Sequence, residues 1–398
     1  MIVTKRICFI TPCSLPIPTT KGGAIETLVE YIINENEKVR NYHFTVISVY
    51  DEKAKALAKS YKNVDFIYVR QRPKYIKKVT YQIYRCLKHI NIYIPFSWEM
   101  LDVLRILKKL DMQDAYIYEA GPTTMLPLLS KVIQKEKMYV HLHWDGLANK
   151  KKDKCFKYLL PVSNYIGNQW KKGAVCSPDK IIPFFNCAKI DRFIKKTTDN
   201  ERQQLKNELN IPQNSKVLIF TGRIVQEKGI KELIEAFEIA SAADLTLLII
   251  GSANFGASTN TPYEKEVQSL IKNCKKRVVF TGFVHQTELY KFYNIADLAV
   301  MPSLFDDPAP LVCIEAQAAG VPLIATRVGG LPEYVCEGSA KLINVDDNLI
   351  SNLAAAIDEL LSDENKRKEM GVRALKNASQ FSTENYYKHF CEIIENTL

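Results

Sequence analysis

Short apolar runs alternate along this chain with longer segments in which apolar residues recur every three to four positions. The runs have the length of buried strands, and the longer segments have the spacing of amphipathic helices. The predicted strands are RICFITP, FTVISVY, VDFIYV, AYIYEAG and MYVHLHWDG in the first half, and VLIFTG, LTLLIIGSAN, RVVF, DLAV and VPLIAT in the second. Two successive sets of this kind predict an α/β protein with two doubly wound parallel sheets.

Residues 300–334 hold the densest group of candidate functional side chains. A Pro-rich loop with Asp306 and Asp307 follows a strand, and a helix starting near Pro310 carries Glu315 one turn in. In open α/β sheets ligands bind beyond the carboxyl ends of the strands. Carboxylates accept hydrogen bonds from sugar and ribose hydroxyls, so this loop and helix predict a hydroxyl-binding crevice. The alternative for Glu315 is a first-turn acid that complements the helix dipole.

Two further segments have the composition of phosphate sites. Arg223 and Lys228 follow the strand VLIFTG at the start of a predicted helix. A guanidinium fork and an ammonium point charge together match a diphosphate, whereas a single Arg is more often surface charge. Gly22 and Gly23 precede the helix AIETLVEYIINE, whose first N–H groups can bind a phosphate or approach a sugar. A glycine pair alone is a weak signal.

His141 and His143 stand at the end of a predicted strand, and their alternate positions place both on one face. A two-histidine zinc site is the alternative, but no third ligand lies close in sequence. Trp144 and Asp145 follow directly, and one role open to Asp145 is to cap the next turn.

The segment PSLFDDPAPLVCIEAQAAGVPLIATRVGGLPE resembles the acid-x7-Glu signature of retaining nucleotide-sugar glycosyltransferases of family four. Asp307 and Glu315 occupy the places of its two acids, and "TGR….KG" around Arg223 and Lys228 resembles the diphosphate frame of that family. The resemblance implies the GT-B fold, with two Rossmann-like domains facing each other across a cleft. The chain departs from the family pattern where Asp307 is one methylene shorter and where Pro310 replaces a common glycine and its N–H. Both departures concern how the donor sugar is held.

The resemblance also implies a role for each site residue. Residues 1–190 become the acceptor-binding domain, residues 191–381 the donor-binding domain, and the helix 382–398 returns to the first domain. The implied catalytic residues are His143, Asp307, Arg223 and Lys228. Beside His143, the resemblance implies that Trp144 and Asp145 shape the mouth of the site. The implied donor-binding residues are Gly22, Gly23, Arg223, Lys228, Gly282, Val284, Asp307, Pro308, Leu311, Val312 and Glu315. Transfer is expected to be metal-independent, with no cofactor, because Arg and Lys neutralise the diphosphate.

The net charge of +10 is spread unevenly. Residues 1–200 hold 34 Lys and Arg against 18 Asp and Glu, and residues 201–398 hold 20 against 26. This asymmetry indicates an anionic surface partner for the first half. Residues 70–92 intersperse Lys and Arg with Tyr, Ile and Leu, as a helix on an anionic membrane does, although a solvated helix face is the alternative. No nucleic-acid-binding motif accompanies the charge, so nucleic acid is not an expected partner.

The remaining sequence features predict a protein that is cytoplasmic or peripheral on the inner face of the plasma membrane. Ten cysteines without a C-x-x-C pair indicate reduced thiols, and no signal peptide or long apolar run is found. The function implied is transfer of a sugar from a UDP- or GDP-sugar to a saccharide or polyprenyl-diphosphate-linked acceptor in bacterial cell-surface polysaccharide synthesis. The alternatives are an epimerase-like enzyme that modifies a nucleotide sugar, and a non-catalytic coat or scaffold relative.

Overall fold

The computed structural model describes residues 4–73, 75, 76, 78–82, 98–120, 123–144, 146, 148–174, 177–252 and 261–398. The chain divides into two compact units, one formed by Met1–Phe185 with Thr383–Leu398 and the other by Asn186–Ser382. The sequence analysis placed this boundary at residue 190.

The first unit is built on a parallel sheet of six strands in the order β3-β2-β1-β4-β5-β6. Its strands are β1 (Lys5–Ile10), β2 (Tyr42–Val49), β3 (Val64–Val69), β4 (Ala115–Ala120), β5 (Met138–Leu142) and β6 (Tyr158–Pro161). Most of their residues are buried, as expected for parallel strands covered by helices on both faces, and the edge strand β3 is more exposed than the others. The helices described in this unit are α1 (Ala24–Val39), α2 (Glu52–Ala58), α3 (Trp98–Leu107), α4 (Leu126–Leu129), α5 (Lys150–Asp153), α6 (Asn164–Gly173) and the C-terminal α15 (Thr383–Thr397).

Helix α15 packs on α1 and on the sheet of the first unit. The ring of Phe390 stacks on Phe9 and meets Phe44 edge-on, with centroids 5.9 and 6.1 Å away. The hydroxyl of Tyr387 donates to Oδ1 of Asn36, which is fully buried in α1. The last helix of the chain is therefore part of the core of the first unit.

The second unit repeats the same topology in the order β12-β11-β10-β7-β8-β9. Its strands are β7 (Lys216–Thr221), β8 (Leu245–Ile250), β9 (Arg277–Gly282), β10 (Leu298–Met301), β11 (Leu323–Thr326) and β12 (Ala340–Ile343). Its described helices are α7 (Ile190–Ile194), α8 (Asp199–Glu208), α9 (Ile230–Ile239), α10 (Pro262–Asn273), α11 (Leu289–Tyr293), α12 (Leu311–Ala318), α13 (Leu349–Ser362) and α14 (Glu364–Ala378). Both sheets have the 3-2-1-4-5-6 strand order of dinucleotide-binding folds, which confirms the predicted α/β class.

One predicted helix is shorter than its sequence pattern indicates. Pro332 and Glu333 suggest the opening of a helix, but the structure has a single 3-10 turn, Leu331–Tyr334. The Tyr334 carbonyl accepts hydrogen bonds from the side-chain amides of Gln317 and Asn377, at 2.7 and 3.0 Å. Since that carbonyl is already paired, it does not serve a further helical turn.

Within the described ranges, no helix combines the length and the apolar character needed to span a bilayer. The described cysteines are all free thiols, most of them buried.

Candidate functional site

In the second unit the predicted site residues gather where the strand order reverses. Strands β7 and β10 are neighbours in the sheet, and their carboxyl ends lead into two loops, 222–229 and 302–310. The Leu304 N–H donates to the Glu227 carbonyl at 2.8 Å and joins these loops. Ligands of open α/β sheets bind at this kind of switch point.

Lys228 and Asp307 form an ion pair across these loops. The Lys228 ammonium donates to a carboxylate oxygen of Asp307 at 2.5 Å, and both side chains are largely buried. The same ammonium lies 4.9 Å from the ring centre of Phe305. Lys228 ends a 3-10 turn, Gln226–Lys228, so its position is fixed by the turn between β7 and α9. The pair places a cation and an acceptor side by side at the edge of the sheet.

The carboxylate loop is held by the glycine turn that follows β11. The Gly330 N–H donates to the Asp307 carbonyl at 2.8 Å, and the Gly329 N–H donates to Oδ1 of Asp306 at 3.0 Å. Gly329 has a φ of 55°, and a Cβ there would overlap the backbone of Asp306 and Asp307. Asp306, expected to assist Asp307, therefore caps the glycine turn.

Arg223 lies on the same edge of the sheet, immediately after Gly222. Its side chain is exposed, and no hydrogen bond or ion pair joins the guanidinium to any residue described here. The guanidinium is thus available to an anion, whereas the Lys228 ammonium is partly neutralised by Asp307.

Helix α12 begins beside the carboxylate loop. Pro310 is its N-cap residue, without a side-chain cap, and Pro308, Leu311 and Val312 are half-buried. The first N–H groups of a helix lack intrahelical partners and favour anions. Leu311 and Val312 are predicted donor-binding residues, and their backbone N–H groups at the start of α12 can therefore bind an anion.

Glu315 lies one turn inside α12 and is 3% exposed. Its Oε1 accepts a hydrogen bond from the Gln286 side-chain amide at 3.1 Å. Burial raises the pKa of the Glu315 carboxyl, against the opposing effects of Gln286 and the Arg192 charge. The first turn of α12 contains no acid, so the helix-dipole alternative does not fit Glu315. A buried carboxyl group whose pKa is raised by its surroundings is typical of a ligand-binding site.

The loop after β9 brings two more predicted residues to this region. Gly282 ends β9, and its carbonyl accepts from the Gly251 N–H at 2.9 Å. Val284 is half-buried in the loop that follows, and the same loop supplies Gln286 to Glu315. Gln286 was missed in the sequence because its role depends on a contact 29 residues away.

In the first unit, Gly22 and Gly23 directly precede α1, as predicted. Gly23 has a φ of 110°, and a Cβ there would overlap the carboxylate of Glu26 and the side chain of Leu15. Glu26 is 4% exposed, and burial raises the pKa of its carboxyl. The turn therefore needs glycine where the chain passes a buried acid.

His141 and His143 meet at one carboxylate that the sequence analysis missed. His141 Nδ1–H and His143 Nε2–H donate to the same Oε2 of Glu119, at 2.9 and 2.8 Å. Strands β4 and β5 pair in parallel with Glu119 opposite His141, so the sheet register creates the contact. All three side chains are almost completely buried. The available signal was a glutamate inside the apolar run AYIYEAG.

Glu119 and the neighbouring histidines shift the pKa values of one another. Burial alone would raise the pKa of Glu119, but the hydrogen bonds and charge of the two histidines outweigh it and lower the pKa to about 2. Burial and the neighbouring His141 lower the pKa of His143 to about 4, despite its hydrogen bond to Glu119. At neutral pH Glu119 is therefore ionised and His143 is neutral.

The same triad supplies the third ligand that a zinc site needs, because its ligand atoms all lie within 4.8 Å of one another. The hydrogen-bond separations of 2.8 and 2.9 Å are shorter than the ligand separation of about 3.3 Å in a tetrahedral zinc site with bonds of about 2.0–2.1 Å. A metal on Nδ1 of His141 would leave an Nε2–H, and this buried nitrogen has no hydrogen-bond partner in the described part of the chain. The geometry fits hydrogen bonding better than metal binding.

Two predicted features lie partly outside the described residues. Trp144 is 41% exposed, whereas Asp145 is outside the described residues. Of the basic segment 70–92, residues 75, 76 and 78–82 are helical, with Tyr75 and Tyr81 70% and 59% exposed. Residues 74, 77 and 83–92, with most of the predicted cations, fall outside the description.

Comparisons with known proteins define the class of this molecule. The Anabaena protein HepE, solved in complex with UDP-glucose, superposes with a TM-score of 0.73 at 19% identity over 98% of this chain and 99% of that chain. The chain therefore has the GT-B fold. Residues 201–377 match the family described as glycosyl transferases group 1. The likeness to this family of enzymes therefore rests on residues 201–377, and the likeness in fold extends over the whole chain.

Curated relatives vary in how much of their length is matched. D-inositol 3-phosphate glycosyltransferase of Corynebacterium diphtheriae is 32% identical over 210 residues, 52% of this chain and 48% of the relative, so the chain matches about half the length of that enzyme. Spore coat protein SA of Bacillus subtilis is 24% identical over 98% of this chain and 99% of its own length. Lipopolysaccharide 1,2-N-acetylglucosaminetransferase of Salmonella typhimurium is 23% identical over 98% of both chains.

Proposed function

We propose that this protein is a retaining, metal-independent glycosyltransferase that uses a nucleoside-diphosphate sugar. The observation that carries the proposal is the exposed Arg223 on the same sheet edge as the Lys228–Asp307 pair, at the switch point of the second sheet. Arg223 and Lys228 stabilise the diphosphate as it leaves, which lowers the barrier by stabilising developing charge. The first N–H groups of α12 add to the same anion site.

The carboxylates hold the sugar and the ribose. Glu315 accepts hydrogen bonds from the ribose hydroxyls, and the loop with Val284 places backbone groups beside the nucleobase. Asp307 accepts from a donor-sugar hydroxyl while Lys228 fixes its orientation. His143 and the Gly22-Gly23 turn serve the reacting sugar and the acceptor from the first unit.

The acceptor we propose is a saccharide or a polyprenyl-diphosphate-linked saccharide in cell-surface polysaccharide synthesis. The near full-length likeness to a lipopolysaccharide transferase supports this class. The +16 balance of residues 1–200 supports an anionic acceptor or an anionic membrane surface for the same half of the chain.

The direct test is a transfer assay with UDP- and GDP-sugars, followed by NMR of the anomeric proton in the product. We expect one donor to be consumed only when a saccharide acceptor is present, with the anomeric configuration kept and activity unchanged by EDTA. A changed sugar nucleotide formed without acceptor would instead identify the epimerase-like alternative. An inverted product would contradict retention.

The likeness to spore coat protein SA keeps a structural role as the second candidate. A scaffold has no need for an exposed Arg223 beside a buried ion pair. Failure to bind any nucleoside diphosphate would favour the scaffold role.

A further inference from the structure

One carboxylate oxygen of Glu119 accepts a hydrogen bond from each of two histidines. The proposed function assigns one of them, His143, to the reacting sugar. An ionised carboxylate only accepts hydrogen bonds, so His141 must carry its proton on Nδ1 and His143 must carry one on Nε2. The tautomer of an imidazole is set by the hydrogen bond that one of its nitrogens makes. In this arrangement Nδ1 of neutral His143 is left with a lone pair.

We propose that Glu119 is a positioning residue that fixes His143 in the Nε2–H tautomer, so that Nδ1 accepts a hydrogen bond from a sugar hydroxyl during transfer. This inference rests on the proposed function, because the partner that it assigns to the Nδ1 lone pair is a hydroxyl of the sugar substrate. Glu119 acts through His143 and does not touch the substrate.

Burial explains why a carboxylate is needed in this position. The ring of His143 sits 4.1 Å from that of His141, centre to centre, and the His141 ring packs 5.1 Å from Phe184. Without the Oε2 acceptor, the two buried N–H groups would lose their hydrogen-bond partner, which is unfavourable for a donor removed from water. A neutral amide at residue 119 would also offer N–H groups, which favour the opposite tautomer on one histidine.

The other titratable groups around the triad lie on neighbouring segments. Burial and the like charge of Glu119 raise the pKa of the Glu26 carboxyl in α1. Burial raises the pKa of the Cys13 thiol to about 12, and the charges of Glu99 and Glu26 act in the same direction. Burial therefore disfavours the charged forms of Glu26 and Cys13, whereas the two histidines favour the charged form of Glu119.

The test reads the tautomer and the kinetics separately. The chain has six histidines, so nitrogen-15 labelling of histidine with long-range proton–nitrogen NMR resolves the rings, and His143→Gln assigns the His143 signals. We expect His143 to show protonated Nε2 in the wild type. Glu119→Gln is expected to mix the tautomers and lower kcat at least about tenfold with the donor KM unchanged, since positioning partners are commonly worth this much. Glu119→Asp keeps the charge and should recover part of the loss.

Asp65→Asn is the matched control, because Asp65 pairs with His43 at 2.7 Å on the exposed side of the same unit. It should leave both readouts unchanged. The inference is overturned if wild-type His143 carries its proton on Nδ1, or if folded Glu119→Gln keeps wild-type kcat. A wild type without transfer to any acceptor would end the proposed function, and the tautomer spectra would still decide the role of Glu119.

Discussion

The Lys228 ammonium lies 2.5 Å from a carboxylate oxygen of Asp307, across 79 residues of sequence. The contact joins the loops that follow β7 and β10, which are adjacent only because the strand order reverses between them. It joins loop 222–229, which carries the proposed diphosphate ligands, to loop 302–310, which carries the proposed hydroxyl acceptor. The geometry of the proposed donor site depends on this pair.

Lys228→Met and Asp307→Asn are expected to lower kcat by at least about 100-fold each, the usual effect of removing one group that stabilises the transition state. Since the two side chains act as a pair, the double variant should lose less than the product of the single losses. Steady-state kinetics of all four proteins measures this coupling. Lys216→Met is the control, because Lys216 pairs with Asp297 at 3.3 Å in the same unit. Fully multiplicative losses would show that the pair does not act as a unit.

Glu315 gives donor binding a pH dependence with a defined sign. Burial raises the pKa of Glu315, so on acidification it gains a proton above the ordinary value of 4.5 and stops accepting two ribose hydrogen bonds. Nucleoside-diphosphate affinity should therefore weaken as pH falls through that raised pKa. Glu315→Gln should bind about tenfold more weakly at neutral pH, since a hydrogen bond to a charged group contributes about 1.5–3 kcal/mol.

Calorimetric titration over a pH series tests this expectation. The Glu315→Gln protein should show a flat profile in the acidic range where the wild type loses affinity. The exposed Glu288→Gln serves as control and should follow the wild type. An unchanged slope in Glu315→Gln would assign the titration to another group.

The Glu119 triad predicts a loss of stability in acid. The pKa of His143 falls from 6.5 unfolded to about 4 folded, so the unfolded state binds more protons and stability drops between these values. The pKa of Glu119 falls from 4.5 to about 2, so its contribution is present above 4.5 and is lost as pH falls toward 2. Urea unfolding at a series of pH values should show His143→Gln without the upper part of the decline. A wild-type free energy of unfolding that is constant from pH 6.5 to 4 would contradict these shifts.

The basic first half predicts binding to anionic lipid. Vesicles with anionic headgroups should retain the protein, neutral vesicles should not, and salt should release it, because the attraction falls off within a Debye length. Replacing Tyr75 and Tyr81, both largely exposed, with Ser should weaken retention if this helix inserts. Equal retention on neutral vesicles would rule out an electrostatic membrane surface.

The sequence pattern predicted those features of the fold and site that are determined by residues close together along the chain. Apolar runs located the strands, the Gly22-Gly23 pair located the start of α1, and the family frame selected Arg223 and Lys228. Glu119 escaped prediction because its partners come from sheet register, which an apolar run does not reveal. The single turn at Leu331–Tyr334 was equally hidden, because distant side-chain amides take the carbonyl that would extend it.

The most direct test of the central claim is calorimetric binding of UDP, GDP and ADP to the full chain, with and without EDTA. The account predicts tight binding of one diphosphate, unchanged by EDTA, weakened at least about tenfold in Arg223→Ala and in Lys228→Met, and preserved in Lys216→Met. Binding that requires a divalent ion, or that survives loss of both Arg223 and Lys228, would contradict the proposed donor site.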